Sequence, residues 1–168
     1  MRTGQHGTEF AALLATGTGA LVGPVVGGQP DAVPVGGQLQ AMRAGRRYVH
    51  LHTHPAPSAA FSDADVGMLV AYACLRTAAV IGVDSTWYVL SKVPGRAPAL
   101  RAEVEQRFAV QVAALVPKYA RLIRSGALSA AEAWRLHTHE VWQRLAPGLG
   151  LRYDRLEPWE GAVNHEAQ

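Results

Sequence analysis

Between Tyr48 and Asp65 the chain switches its hydrophobic period once, and this switch constrains the fold more than any other stretch. Residues Tyr48 to His54 alternate with the period of two that marks a β-strand, placing His50, His52 and His54 on one face and Val49, Leu51 and Thr53 on the other. Pro55 ends the strand, because it has no N–H to give to a ladder. After a few small residues, Ser62 reads as the N-cap of a helix with Asp63 and Asp65 in its first turn, and the helix continues through Val66, Leu69, Val70 and Ala73. A strand with three imidazoles on one face therefore runs through a short loop into a helix that starts with carboxylates. Nitrogen and oxygen donors meet at one end of a sheet.

The remainder supplies a scaffold of one-domain size. At 168 residues the chain suffices for a single core, and 49% apolar with 17% charged residues is globular composition. A net charge of +3 is too small to imply a nucleic-acid partner, despite the basic pI. Only Lys92 and Lys118 among the 16 basic residues are lysine; codon bias explains this more simply than avoidance of a lysine-directed modification. Cys74 is the single cysteine, which rules out an internal disulfide or a thiolate zinc cluster and fits a reducing cytoplasm. The uncharged run from Phe10 to Gln29 contains Gly17, Gly19, Gly23 and Pro24, so it reads as a Gly-rich hairpin and not as a signal peptide or membrane helix; no membrane partner is expected.

In chain order, Met1 to Thr8 read as loose and Phe10 to Ala15 as a strand or short helix. Ala20 to Val26 read as a second strand beyond the turn at Gly17-Thr18-Gly19. Ala32 to Val35 is an edge-strand candidate broken by Pro34, Gly36-Gly37 a loop, and Gln38 to Ala44 one or two helical turns. Ala78 to Val83 and Thr86 to Ser91 form a strand pair joined at Asp84-Ser85. From Leu100 to Arg124 the period becomes helical, with Pro117 expected to kink or split the helix. Ser129 to Glu132 is a capping box opening a helix to about Leu145, ended by Pro147-Gly148, with a polar tail after Pro158. The expected fold is α/β (α+β): a core over 1–95 with a mixed, mostly antiparallel sheet flanked by helices, and a helical C-terminal extension over 96–168 packed on it.

His52 and His54 share a strand face and Asp65 lies where the loop brings the helix back, so the three can hold one zinc ion with a fourth position open for water. Such a site needs a base, and Glu9, the only glutamate before Glu103, lies beside the first expected core strand. Asp31, the other early carboxylate, falls in a Gly-Pro loop. His50 is expected to be a buried, hydrogen-bonded neighbour of the ligands. In the second cluster, His137 and His139 are two apart on a helix and point to nearly opposite faces, so they read as surface histidines; Trp134 and Trp142 read as packing anchors.

The pattern His52-Thr53-His54, seven residues, then Ser62-x-x-Asp65, with a glutamate upstream, resembles the motif of the JAMM (MPN-domain) zinc metalloproteases at every fixed position. The resemblance covers about residues 9–92. It implies that His52, His54 and Asp65 ligate one Zn2+. It further implies that Glu9 takes a proton from the attacking water and hands it to the leaving amine, and that Ser62 hydrogen-bonds the oxyanion. The implied activity is hydrolysis of an isopeptide or peptide bond, foremost at the C-terminus of a ubiquitin-like protein. A phage-tail or toxin-associated peptidase acting on cell-wall or host peptides is the alternative, and a catalytically silent scaffold is the alternative of another class. Only eight residues precede Glu9, where such domains commonly carry further structure, so the helices after Leu100 fill that space or the start of the domain is reduced. The insertions that shape the groove of deubiquitinating members are not identifiable, so linkage specificity is not carried over. The C-terminal helices could also pair two copies of the chain.

Overall fold

A computed structural model describes residues 7–28, 33–54 and 60–158. Pro55 and its loop, Asp31, Ala32, the first six residues and the tail beyond Pro158 lie outside the described residues, so the expectations placed on them stay with the sequence.

The architecture is α/β, and the described residues form one six-stranded, mostly antiparallel sheet and four α-helices. The elements are β1 (Phe10–Ala15), β2 (Val26–Gly27), α1 (Gly36–Ala41), β3 (Tyr48–His54), α2 (Asp63–Ala71), β4 (Leu75–Gly82), β5 (Trp87–Lys92), α3 (Arg101–Arg124), α4 (Ala130–Leu145) and β6 (Leu151–Leu156). The sheet order is β2-β1-β3-β4-β5-β6, and only β3 and β4 are parallel. A parallel pair needs a crossover, and α2 provides it. The strand with the histidines is thereby central, with the motif helix directly after it.

Local chemistry accounts for most element ends. Ser62 and Ser129 cap α2 and α4, each in a complete capping box with Asp65 and Glu132. Gly150 leads into β6 at φ +72°, and a Cβ there would meet the Ala97 carbonyl oxygen at 2.7 Å, so no larger residue fits. The main core gathers Leu13, Phe61, Leu69, Val80, Leu90 and Trp142 from sheet and helices alike, and a smaller cluster joins Leu115 and Tyr119 of α3 to Val141 of α4.

Several expectations are corrected. The second early strand shrinks to Val26–Gly27 plus a bridge between Leu14 and Leu21, because Gly23 and Pro24 interrupt the ladder. Gly36-Gly37 opens α1 instead of forming a loop, and residues 33–35 are not a strand. Pro117 does not split α3, which runs as one 24-residue helix. The carbonyl it deprives of a partner belongs to Ala113 on the exposed side, where water can serve, while Leu115 and Tyr119 anchor the helix on either side. The C-terminal extension is not wholly helical: Leu151–Leu156 form β6, antiparallel to β5, and complete the sheet. Among the described residues no helix is long and apolar enough to cross a membrane.

Candidate metal centre

Strand register delivers the upstream carboxylate. β1 runs antiparallel to β3 with Leu13 opposite His50 and Ala11 opposite His52; two places further, the same register sets Glu9 opposite His54 and on the same face. Three backbone anchors hold this end of β1. The Phe10 N–H donates to Thr53 Oγ1 at 3.0 Å, the Gly28 N–H donates to the Glu9 carbonyl at 2.9 Å, and buried Gln38 donates from Nε2 to the Ala11 carbonyl at 3.0 Å. Glu9 is buried, and its Oε1 lies 3.7 Å from His54 Nε2.

His52, His54 and Asp65, the three candidate ligands, converge beside it. The Nε2 atoms of His52 and His54 are 3.1 Å apart. Asp65 sets Oδ1 3.3 Å from His52 Nε2 and Oδ2 3.9 Å from His54 Nε2. His52, His54 and Asp65 thus form a group close enough to hold a metal ion, with one donor atom from each within 4.8 Å of the others. Each comes from its own local logic: strand alternation aims both imidazoles the same way, and the first turn of α2 points Asp65 back at them.

Ser62 positions Asp65. Its N–H and its hydroxyl both donate to Asp65 Oδ2, at 2.8 and 2.7 Å, and its Oγ accepts from the Asp65 N–H at 3.2 Å. With Oδ2 held by the cap, Oδ1 is left facing His52. Burial alone would raise the Asp65 carboxyl, but hydrogen bonds from His52 and Ser62 together with the charge of His52 hold it well below the usual carboxylate range. Asp65 is therefore ionised, as a ligand must be.

His50 is buried as expected, but neither of its ring nitrogens has a hydrogen-bond partner among the described residues. Its ring is tilted against that of His52 with centroids 5.3 Å apart. Burial, with the neighbouring His52 adding to it, pushes its pKa down to about 4. It is a neutral imidazole packed under the ligands.

Comparison with protein-family models, curated proteins and solved structures returns no match.

Of the second histidine pair, one is buried and the other half-buried. His137 is buried, with Nε2 3.2 Å from the Val112 carbonyl oxygen and its ring stacked on Trp134, and His139 Nδ1 lies 2.9 Å from the Tyr153 hydroxyl. The two point to different partners on opposite sides of α4, in keeping with the spacing argument. Trp142 is the expected anchor: it is fully buried, stacks on Phe108 and donates from Nε1 to the Phe61 carbonyl at 2.6 Å. Trp134 is 58% exposed and is not one.

Sequence reasoning did not link the C-terminal helices to the site. The Trp142 bond grips the residue just before Ser62, and α3 and α4 wall a cavity of about 240 Å³ that opens onto His54 and Ser62. The signal available was the helical spacing of Phe108, Val112, Trp134 and Thr138, but their distance from the motif in the chain concealed it.

Proposed function

We propose that this chain is a zinc metallohydrolase of the JAMM type that cuts an isopeptide or peptide bond, foremost at the C-terminus of a ubiquitin-like protein. One observation carries the reading: a buried glutamate, separated from the motif by 42 residues, stands 3.7 Å from one of three converging ligands. Helix capping accounts for Ser62 and Asp65, but a purely structural motif has no need of Glu9 beside His54.

The donor set suits zinc. Two imidazole nitrogens and a carboxylate oxygen are a common catalytic set, and around a tetrahedral ion with bonds of about 2.0–2.1 Å neighbouring donors lie about 3.3–3.4 Å apart. The observed 3.1 and 3.3 Å about His52 Nε2 lie near that spacing, and the 3.9 Å between His54 Nε2 and Asp65 Oδ2 is wider than it, an edge that a bound ion would draw in. Bound zinc supplies a lowered water pKa and polarises the scissile carbonyl. The remaining work falls to the chain. Glu9, with its carboxylate on the rim of the triad, accepts a proton from the attacking water and returns it to the departing amine. Ser62 turns its hydroxyl from Asp65 Oδ2 to the oxyanion, while its N–H keeps Oδ2 in place at 2.8 Å. One such donor is worth about 2.7–4 kcal/mol in the transition state.

The test is cleavage of a ubiquitin-like fusion by the purified, zinc-loaded protein, beside peptidoglycan peptides, with metal content measured in parallel. Glu9→Ala should lower the rate by about 10²–10⁴-fold while zinc stays bound, and a chelator should abolish it. Undiminished cleavage by Glu9→Ala would remove Glu9 as the base. Zinc well below about one per chain, and unchanged by His54→Ala, would favour a silent scaffold, whereas cleavage of peptidoglycan peptides alone would favour the cell-wall substrate.

A further inference from the structure

α3 and α4 each carry a largely apolar stripe that packs on the core at Phe108 and Val112 and is left uncovered further out. On α3, Phe108, Val112, Val116 and Ile123 recur at helical spacing; on α4, Ala130, Trp134 and Thr138 do the same. Val116, Ile123 and Trp134 are exposed. Two cavities lie along these stripes. The first, about 240 Å³, is lined at one end by His54 and Ser62 and at the other by Phe108 and Thr138. The second, about 220 Å³, runs outward past Val116 and Ile123. Val112, Trp134 and His137 line both, so the two are adjoining parts of one groove. Asp63, at the metal end, is the only Asp, Glu, Lys or Arg among the described lining residues.

We infer that this groove is the subsite for the polypeptide flanking the cleaved bond, and that it selects an extended segment carrying bulky apolar side chains. The inference rests on the hydrolase reading and adds its substrate class. Four features identify the occupant. The groove begins at the donors that would meet the scissile bond, which a dimer face or a helix-docking face would have no reason to do. Its length along α4, from Thr138 to Ala130, is about 12 Å at 1.5 Å per residue, which spans about four residues of extended chain at roughly 3.3 Å each. A cavity of about 150 Å³ already accepts a benzene ring, so each of these two holds one large apolar side chain. With little charge to pair with, a charged side chain entering here would lose hydration without compensation. Trp134, stacked on His137 between the two cavities, is the specificity-determining residue.

The experiment uses the zinc-loaded full chain and two short peptides, identical except that the residues flanking the scissile bond are Leu and Phe in one and Ser and Asp in the other. kcat/KM is measured for both, and anisotropy of the labelled apolar peptide is measured separately on Glu9→Gln, which needs no turnover. The apolar peptide should be preferred. Trp134→Ala should cut its kcat/KM and its affinity by about tenfold, with little effect on the polar peptide or on zinc content. Val116→Asp should act alike, and Val110→Ala, exposed on α3 outside the groove, should change neither. Equal losses on both peptides, or no preference by the wild type, would overturn the inference. If neither peptide is cut, cleavage of the ubiquitin-like fusion decides the hydrolase reading and the binding arm decides the groove: Trp134-dependent affinity for the apolar peptide supports it, and no affinity overturns it.

Discussion

Replacing Trp142 by Phe tests whether the C-terminal helices hold the motif in place. The substitution keeps an aromatic ring against Phe108, whose present centroid separation is 5.0 Å at an interplanar angle of 24°. It deletes the N–H that reaches the Phe61 carbonyl at 2.6 Å. Leaving that buried acceptor without its donor costs about 1–3 kcal/mol. The change also removes two carbons from a fully buried side chain, worth about 1.6 kcal/mol at roughly 0.8 kcal/mol each. The sum is about 2.6–4.6 kcal/mol, a large part of a typical stability of about 5–15 kcal/mol. For a chain of this size it corresponds to a Tm lower by about 5–18 °C. Thermal melting followed by circular dichroism, with urea denaturation alongside, reads it directly. Phe61 precedes the cap of α2, so zinc uptake should weaken in the same variant. Trp134→Phe is the contrast, since an exposed ring should cost no more than about 0.5 kcal/mol. A Trp142→Phe melting point within about 2 °C of wild type would refute the view that this bond locks α4 to the motif.

Metal binding should stabilise the fold by linkage. Free zinc at 100 times its Kd adds about 2.7 kcal/mol, a Tm rise of about 5–11 °C that a chelator reverses and that His52→Ala or Asp65→Asn abolishes; an unchanged Tm in wild type would refute the site. Glu140 offers a pH test away from the metal. Burial alone would raise its carboxyl, but hydrogen bonds from Lys118 and Tyr119, with the charges of Lys118 and Arg144, hold it down at about 2. A depressed folded pKa stabilises at pH above the unfolded value, and the contribution fades as pH falls through the folded one. Glu140→Gln should therefore be destabilised at neutral pH, with the gap narrowing from pH 4.5 towards 2; urea denaturation across that range would contradict the account if the gap stayed constant.

What was legible in the sequence is what local periodicity determines. Tyr48–His54 alternates within seven residues, and Ser62 with Asp65 closes a cap within four, so strand, helix and three of the four converging side chains follow from short-range geometry alone. Glu9 could be nominated only as the sole early glutamate, because its gap to His52 carries no period. The antiparallel register of β1 on β3 sets it opposite His54. β6 went unseen because six residues of moderate alternation become a strand only once β5 offers an edge. Spacing alone leaves His137 at the surface, because a helix shows which residues share a face, but not which face another helix will cover. α3 covers that one, and in doing so walls the cavity that opens onto His54 and Ser62. Contacts within about one turn or one strand are encoded in spacing. Contacts across the chain depend on register and packing, which the energy of the whole core decides.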